Sequence, residues 1–359
     1  MKSKVIALLL AVNIISCFAG PLSRNIQWDE AMLGFPAPDG NLHIYAIPVG
    51  DGDATIIQCP AGDIIVHDMG RNTKSNKTGW TEDMVRSYLL SQLHMVKAVI
   101  VSNPTEDHYN YVSSVLRTSN GVGPNLEQIV IAGYKSDYNY ESFQGFLNSY
   151  SHIVEMVNNG DPCISDCSNT PPQCNKYGNY EVSLRYLGAN LGNAASSRSI
   201  TLQVQTKNFG LLLPGDFYGT DIEYLIMQEW NARGDTLEST HYKVSNHGSV
   251  TNCNSLEWLQ EIKPQYAFSS NSYPKSNNAF SPSCNIYTRL LQVGSLNKRS
   301  ASGVYACAAS SSVVQYKNFV YDLYTTAPTS STTELLKITV TLCDNEEVKS
   351  EMKAIPNPF

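Results

Sequence analysis

Four apolar, strand-length runs in this chain each stop at a short polar segment carrying an aspartate or a histidine. Residues 64–66 lead into His67-Asp68-Met69-Gly70. Residues 96–101 lead into Ser102-Asn103-Pro104-Thr105-Glu106-Asp107-His108. Residues 209–213 lead into Pro214-Gly215-Asp216, and a short run at 242–244 leads into Ser245-Asn246-His247-Gly248-Ser249. The run at 96–101 has no polar alternation, which suits a strand covered on both faces. Strand ends in a layered fold converge on one edge, so these four segments can meet in one cleft. That recurrence confines the chain to a layered α/β architecture with chemistry at the strand ends.

The rest of the chain fits that frame. Alternation or apolar runs mark strands at 42–47, 54–59, 180–187 and 199–206, with a Pro60-Ala61-Gly62-Asp63 turn after the second. Helical spacing of apolar residues marks 81–93, 107–117, 221–233 and 255–262. Two β-rich halves, each with helices, give the expected fold: an αββα sandwich in one domain spanning 42–324. A polar arm at 20–41 precedes it. After a Ser/Thr-rich stretch, 325–359 holds a last apolar strand at 335–342 and a polar tail. No fixed-period repeat is present.

Lys2 and Lys4, an apolar run at 5–15 and small residues before a cut after Ala19 form a secretory signal peptide, 1–19. The alternative is a lipoprotein box acylated at Cys17. No later run is long enough to span a bilayer, so the expected location is extracellular. Removing Lys2 and Lys4 takes the formal charge from −7 to −9. An acidic chain without a basic block is a poor binder of bulk nucleic acid or anionic membrane.

Of the 9 cysteines, eight remain after that cut, which suits disulfides in an exported protein. Cys163, Cys167 and Cys174 could alternatively form a zinc knuckle. Asn76-Lys77-Thr78 is a glycosylation sequon at Asn76.

Aspartate and neutral histidine suit Zn²⁺ and similar ions, and a metal with an open position activates water near neutral pH. Taken singly, an aspartate after a strand is a turn former or helix cap, and a histidine beside glycine a turn residue. Four such segments in succession favour a site. With Gly50-Asp51-Gly52-Asp53-Ala54 they resemble the metallo-β-lactamase superfamily, and within it the hydrolase domain of DNA-uptake competence proteins, over about residues 42 to 307. The resemblance implies metal ligands Asp107, His108, Asp216 and His247, with Asp68 and Asp53 standing behind them.

The departures from the family pattern bear on activity. Family members carry histidine where this chain has Asn103, and histidine or aspartate at Thr105, so the first metal site is incomplete. The competence branch has two adjacent histidines where this chain has Asn246-His247, and His-Pro where it has Ser281-Pro282. Tyr109 and Tyr111 replace small residues and are expected to crowd the cleft. Three readings follow: a hydrolase with one zinc-like ion, an inactive relative with an extracellular binding or structural role, and a two-metal nuclease. The first is preferred. In it Asp107 and Asp216 divide the roles of base and ligand, and the Asn103 amide donates to a developing oxyanion. The partner is a small molecule or an extracellular polymer, the bond being a phosphodiester, ester, lactone or amide.

Overall fold

The computed structural model describes residues 35–73, 79–119, 121–175, 178, 181–249, 253–271, 283–309, 312–321, 323–325, 335–342 and 348–355. The expected signal peptide 1–19, Cys17, Asn76, Ser281-Pro282 and Cys343 lie outside the described residues.

The first half runs β1 (Leu42–Ala46), β2 (Ala54–Gln58), β3 (Ile64–Met69), α1 (Glu82–Leu89), β4 (Val96–Val101), α2 (Glu106–Tyr109), α3 (Val112–Val115), β5 (Gln128–Ile131), α4 (Glu141–Ser149) and β6 (Val154–Met156). The second runs β7 (Ser183–Ala189), β8 (Ile200–Thr206), β9 (Phe209–Leu213), α5 (Thr220–Ala232), β10 (His241–Lys243), α6 (Leu256–Ile262), β11 (Tyr266–Ser269) and α7 (Cys284–Val293). A hairpin of β12 (Lys298–Ala309) and β13 (Ser312–Tyr321) follows, then β14 (Leu323–Thr325), β15 (Leu335–Leu342) and β16 (Val348–Ile355).

One sheet has the order β16-β15-β1-β2-β3-β4-β5-β6, the other β14-β11-β10-β9-β8-β7. In each half two antiparallel joins are followed by two parallel ones, β1 to β5 and β7 to β11. The last apolar strand, β15, pairs with β1, and the polar tail adds β16 beside it, so the chain's end is part of the first sheet.

Alternation along each strand assigns its two faces to different cores. Tyr45, Ile56, Val66, Val99 and Val101 pack under α1, α3 and α4 with Trp80, Val85, Val112 and Phe143. Ile44, Ile57, Ile65, Ala98 and Ile100 meet Leu202, Val204, Leu211 and Leu213 between the sheets. Leu212, Tyr242 and Ala267 face Ile226, Trp258, Leu259 and Leu290 on the far side. The result is four layers, helix, sheet, sheet and helix. Each fully buried aliphatic or Phe side chain contributes roughly 1.5–3 kcal/mol, so both sheet faces resist exposure.

Local signals set the helix ends. Thr81 caps α1 by accepting from Met84 N, Ser255 caps α6 by accepting from Trp258 N, and Gly294 ends α7 at φ 72. The single helix expected at 107–117 is instead two one-turn helices. Asn110 between them accepts from Arg71 N and donates to Arg71 O, while Tyr111 N donates to Met69 O. These bonds tie the segment to the end of β3 and interrupt the helical ladder.

Among the described residues three cysteine pairs are bonded: Cys59–Cys174, Cys163–Cys167 and Cys284–Cys307. The knuckle cysteines are therefore bonded to one another or to Cys59, which leaves them no thiolates for zinc. Cys253 is a buried free thiol. Among the described residues no helix is long and apolar enough to cross a membrane.

Candidate metal centre

Parallel strands present their C-terminal ends along one edge, and here β3 and β4 of one sheet meet β9, β10 and β11 of the other. Two glycines permit the approach. A Cβ on Gly70 would come within 2.5–2.7 Å of backbone atoms in residues 106–109, and one on Gly52 would reach Gly70 O at 2.3 Å. Those contacts bring Asp53, Asp68 and the 107–108 pair to one point, with Asp53 N donating to Asp107 O at 2.9 Å. Asp68, Asn246 and His247 hold left-handed backbone (φ 57, 49 and 50). Such conformations cost on the order of 1–3 kcal/mol each and persist only where surrounding contacts fix them.

Asp53, His108, Asp216 and His247 each offer one ligand atom within 4.8 Å of the others. Their remaining contacts sort them. His108 Nδ1 lies 3.0 Å from Asp68 Oδ2, and Asp68 also accepts from Ser102 N and Ser102 Oγ at 2.6 Å each. His247 Nδ1 lies 2.9 Å from Ser270 O. A ring nitrogen facing a carboxylate or carbonyl carries the proton, which leaves the lone pair on Nε2 of both rings. Both Nε2 atoms, and Asp216 Oδ1, are buried without a hydrogen-bond partner. The two Nε2 atoms stand 3.2 and 3.1 Å from Asp216 Oδ2, at ion-pair distance but outside hydrogen-bond geometry. Buried polar atoms are rarely left without a hydrogen bond, and the cluster they belong to could hold a metal ion.

Asp53 differs from these three. Lys243 Nζ donates to its Oδ2 at 2.5 Å, and Ser270 Oγ donates to Oδ1. Both oxygens are engaged, so Asp53 braces the site from behind and balances the Lys243 charge. Asp107 stands at the rim, 18% exposed, with Oδ2 3.5 Å from His247 Nε2.

The charges reinforce one another. Burial opposes the charged form of His108 and His247, but Asp68 and Asp216 for the first, and Asp216 and Asp53 for the second, outweigh it and raise both well above the usual histidine range. Burial also works against ionised Asp216 and Asp107, and the two imidazoles overcome it, lowering both carboxyls. Ligand protons and a metal ion compete for the same lone pairs, so a bound cation would displace them.

Asn103 lies outside the cluster. Its NH₂ group is within hydrogen-bond distance of Ser196 O, Arg198 O and Ser199 Oγ, and its Oδ1 accepts from Thr105 N and Thr105 Oγ1. An amide so committed ties the 196–199 loop to the end of β4 and has no proton left for an oxyanion. Tyr109 and Tyr111 do not crowd the cleft either. Tyr109 is buried against Tyr138 and Phe143 in the outer core, and Tyr111 packs on that core, because their helical turns face away from the strand ends. His67 and His241 also lie outside the cluster. His241 stacks on Tyr266 with ring centroids 4.5 Å apart, and its burial lowers its pKa to about 3.

Sequence reasoning missed Lys243, although a lysine between Tyr242 and Val244 in a buried strand requires a charged partner. It also missed the support beneath His247. Asn254 Nδ2 donates to Ser245 O and Ser249 O, its Oδ1 accepts from Tyr242 Oη, and Glu223 accepts from Asn254 N and Ser255 N.

No family model matches the sequence, and no curated protein does. Among solved structures, the chain is similar to Igni18, a metallo hydrolase of Ignicoccus hospitalis, at 11% identity and TM-score 0.41, covering 77% of this chain and 99% of that one. It is similar to the metallo-β-lactamase fold protein YhfI of Bacillus subtilis at 11% and 0.41, covering 77% and 100%. It is also similar to CmlA, a diiron β-hydroxylase of Streptomyces venezuelae, at 10% and 0.43, covering 79% and 55%.

Proposed function

We propose that this protein is an exported hydrolase that works with one divalent ion of the zinc type, held by His108, Asp216 and His247. The observation that carries this reading is the convergence of His108 Nε2 and His247 Nε2, both buried without a hydrogen bond, on Asp216 Oδ2 at 3.2 and 3.1 Å. The ion would supply Lewis acidity towards water and towards a carbonyl or phosphoryl oxygen. The chain's own residues do the rest. Asp68 and the Ser270 carbonyl orient the two imidazoles. Asp107, at the rim, accepts the proton of an attacking water through its carboxylate. Asp53, neutralised by Lys243, keeps a further negative charge from the reacting centre.

Asn103 and Thr105 support a count of one ion, since they bond to each other where the resemblance expects ligands. Export is supported by three bonded cysteine pairs. The same Asn103–Thr105 pairing favours the second reading, an inactive relative that binds without turnover. Asp107→Asn separates the two. In a hydrolase it lowers turnover on a responsive ester, lactone, amide or phosphodiester ~10²–10⁴-fold while retaining the metal. A metal-loaded wild type that cleaves none of that panel overturns the hydrolase reading.

A further inference from the structure

The cleft above the cluster has a volume of about 810 Å³, enough for several sugar rings or a short polymer segment. Its walls away from the metal donors are built from Asn72, Thr105, Asn193, Ser197, Asn246 and Tyr218. Among the described residues, no lysine or arginine lines it, and its charged groups are Asp107, Asp216 and His247. Side-chain amides and hydroxyls offer both donors and acceptors, as an uncharged polyol requires. A phosphate or carboxylate substrate is commonly gripped by Arg or Lys forks, and none is found here among the described residues. Ala194 is the one aliphatic residue among the described residues of the lining.

One wall is preformed. The loop at 191–198 begins and ends on a bond from Asn190 N to Ser199 O, 3.0 Å. Asn103 grips it from below at Ser196, Arg198 and Ser199. Ser199 Oγ also accepts from Asp216 N at 3.0 Å, linking the wall to a metal donor. Arg198, the loop's own cation, is turned away from the cleft. It pairs with Asp137 at 2.6 Å and lies over the Tyr134 ring. Tyr218, also in the lining, is 47% exposed beside buried Phe217. An exposed ring with a polar tip suits the C–H face of a sugar.

We infer that this cleft recognises an uncharged saccharide, through the pinned 191–198 loop together with Tyr218 and Asn246. The inference rests on the hydrolase reading for the reaction, but not for binding. Asn103 thereby acquires a positioning role in substrate recognition, in place of the oxyanion contact expected from the sequence.

Calorimetric titration of the full chain tests this with four probes: cellotetraose, N-acetylchitotetraose, tetragalacturonate and the dinucleotide pTpT. Metal content is measured on the same samples, with and without chelator. A neutral tetrasaccharide is expected to bind at least 10-fold tighter than either anion, and Tyr218→Ala and Asn193→Ala are each expected to weaken it about 10-fold. Metal uptake without binding of either neutral tetrasaccharide, or tighter binding of pTpT or tetragalacturonate, overturns the inference and leaves the metal reading standing. Neutral binding that Tyr218→Ala and Asn193→Ala leave unchanged also overturns it. Binding of a neutral tetrasaccharide, lost in those variants, by protein that takes up no metal supports the inference and overturns the hydrolase reading instead.

Discussion

The two halves of the chain place the same residue types at the same points and use them differently. In the first half an aspartate, Asp68, stands one residue before the end of β3, and a histidine, His108, comes after β4. In the second, Asp216 follows β9 and His247 comes after β10. Asp68 is fully buried and is spent on Ser102 and His108, whereas Asp216 leaves Oδ1 open to the cluster. His108 is braced by a carboxylate inside the protein, and His247, 11% exposed and itself on left-handed backbone, by the Ser270 backbone carbonyl. Topological equivalence fixes where a side chain emerges, and the packing behind it decides whether it braces or binds. The first half supplies one firmly braced donor, His108, and the second supplies two, Asp216 and His247.

The largest expected contrast is between His108→Ala and His247→Ala. Both should abolish stoichiometric metal uptake. His108→Ala also leaves Asp68 as an uncompensated buried carboxylate and should cost about 3–5 kcal/mol. His247→Ala faces a hydrated cleft and should cost ~1 kcal/mol. Metal analysis with urea unfolding of both variants checks this, and equal destabilisation would erase the distinction between the two histidines.

Lys243→Met sharpens the same contrast. It strands Asp53 in the interior and should destabilise by about 3–5 kcal/mol, with Lys243→Met plus Asp53→Asn recovering most of the loss. A single mutant as stable as wild type would show that Asp53 takes its neutralising charge from elsewhere.

Asp68→Asn tests the brace alone. Removing the acceptor charge behind His108 should weaken metal affinity about 10–100-fold with the fold kept, as measured by competition with a chelating dye.

The smallest effect concerns Glu223, under the His247 loop, whose pKa burial raises from 4.5 to about 7. The folded state keeps this proton where the unfolded state has lost it. Glu223 therefore contributes most below about pH 4.5, and stability declines as pH rises through about 7, by up to about 3 kcal/mol. Glu223→Gln, which cannot ionise, should flatten that part of the stability–pH curve. An unchanged slope would remove Glu223 from the account.

The layering was legible because it depends on periodicity, and the meeting of His108, Asp216 and His247 because they stand at strand ends. The unbroken run at 96–101 marks a strand with both faces covered and the alternation at 42–47 marks another, while His108 lies beyond the first and His247 beyond the run at 242–244. What was not legible depends on contacts between distant segments. Nothing local at Asn110 announces that its side chain binds Arg71 and splits a helix. Nothing at Asn103 announces the 196–199 loop, so its amide read as free. Tyr109 sits beside His108 in sequence, but one helical turn sends the two rings to opposite sides of the sheet. Lys243 carried a signal in its apolar neighbours, and its partner, Asp53, lies 190 residues away.

The central claim is tested most directly by counting metal in protein purified without chelator, wild type beside His247→Ala. The account predicts about one equivalent of a divalent ion in the wild type and none in the variant, with both folded. No metal in wild type supplied with zinc, or one equivalent in both proteins, would contradict it.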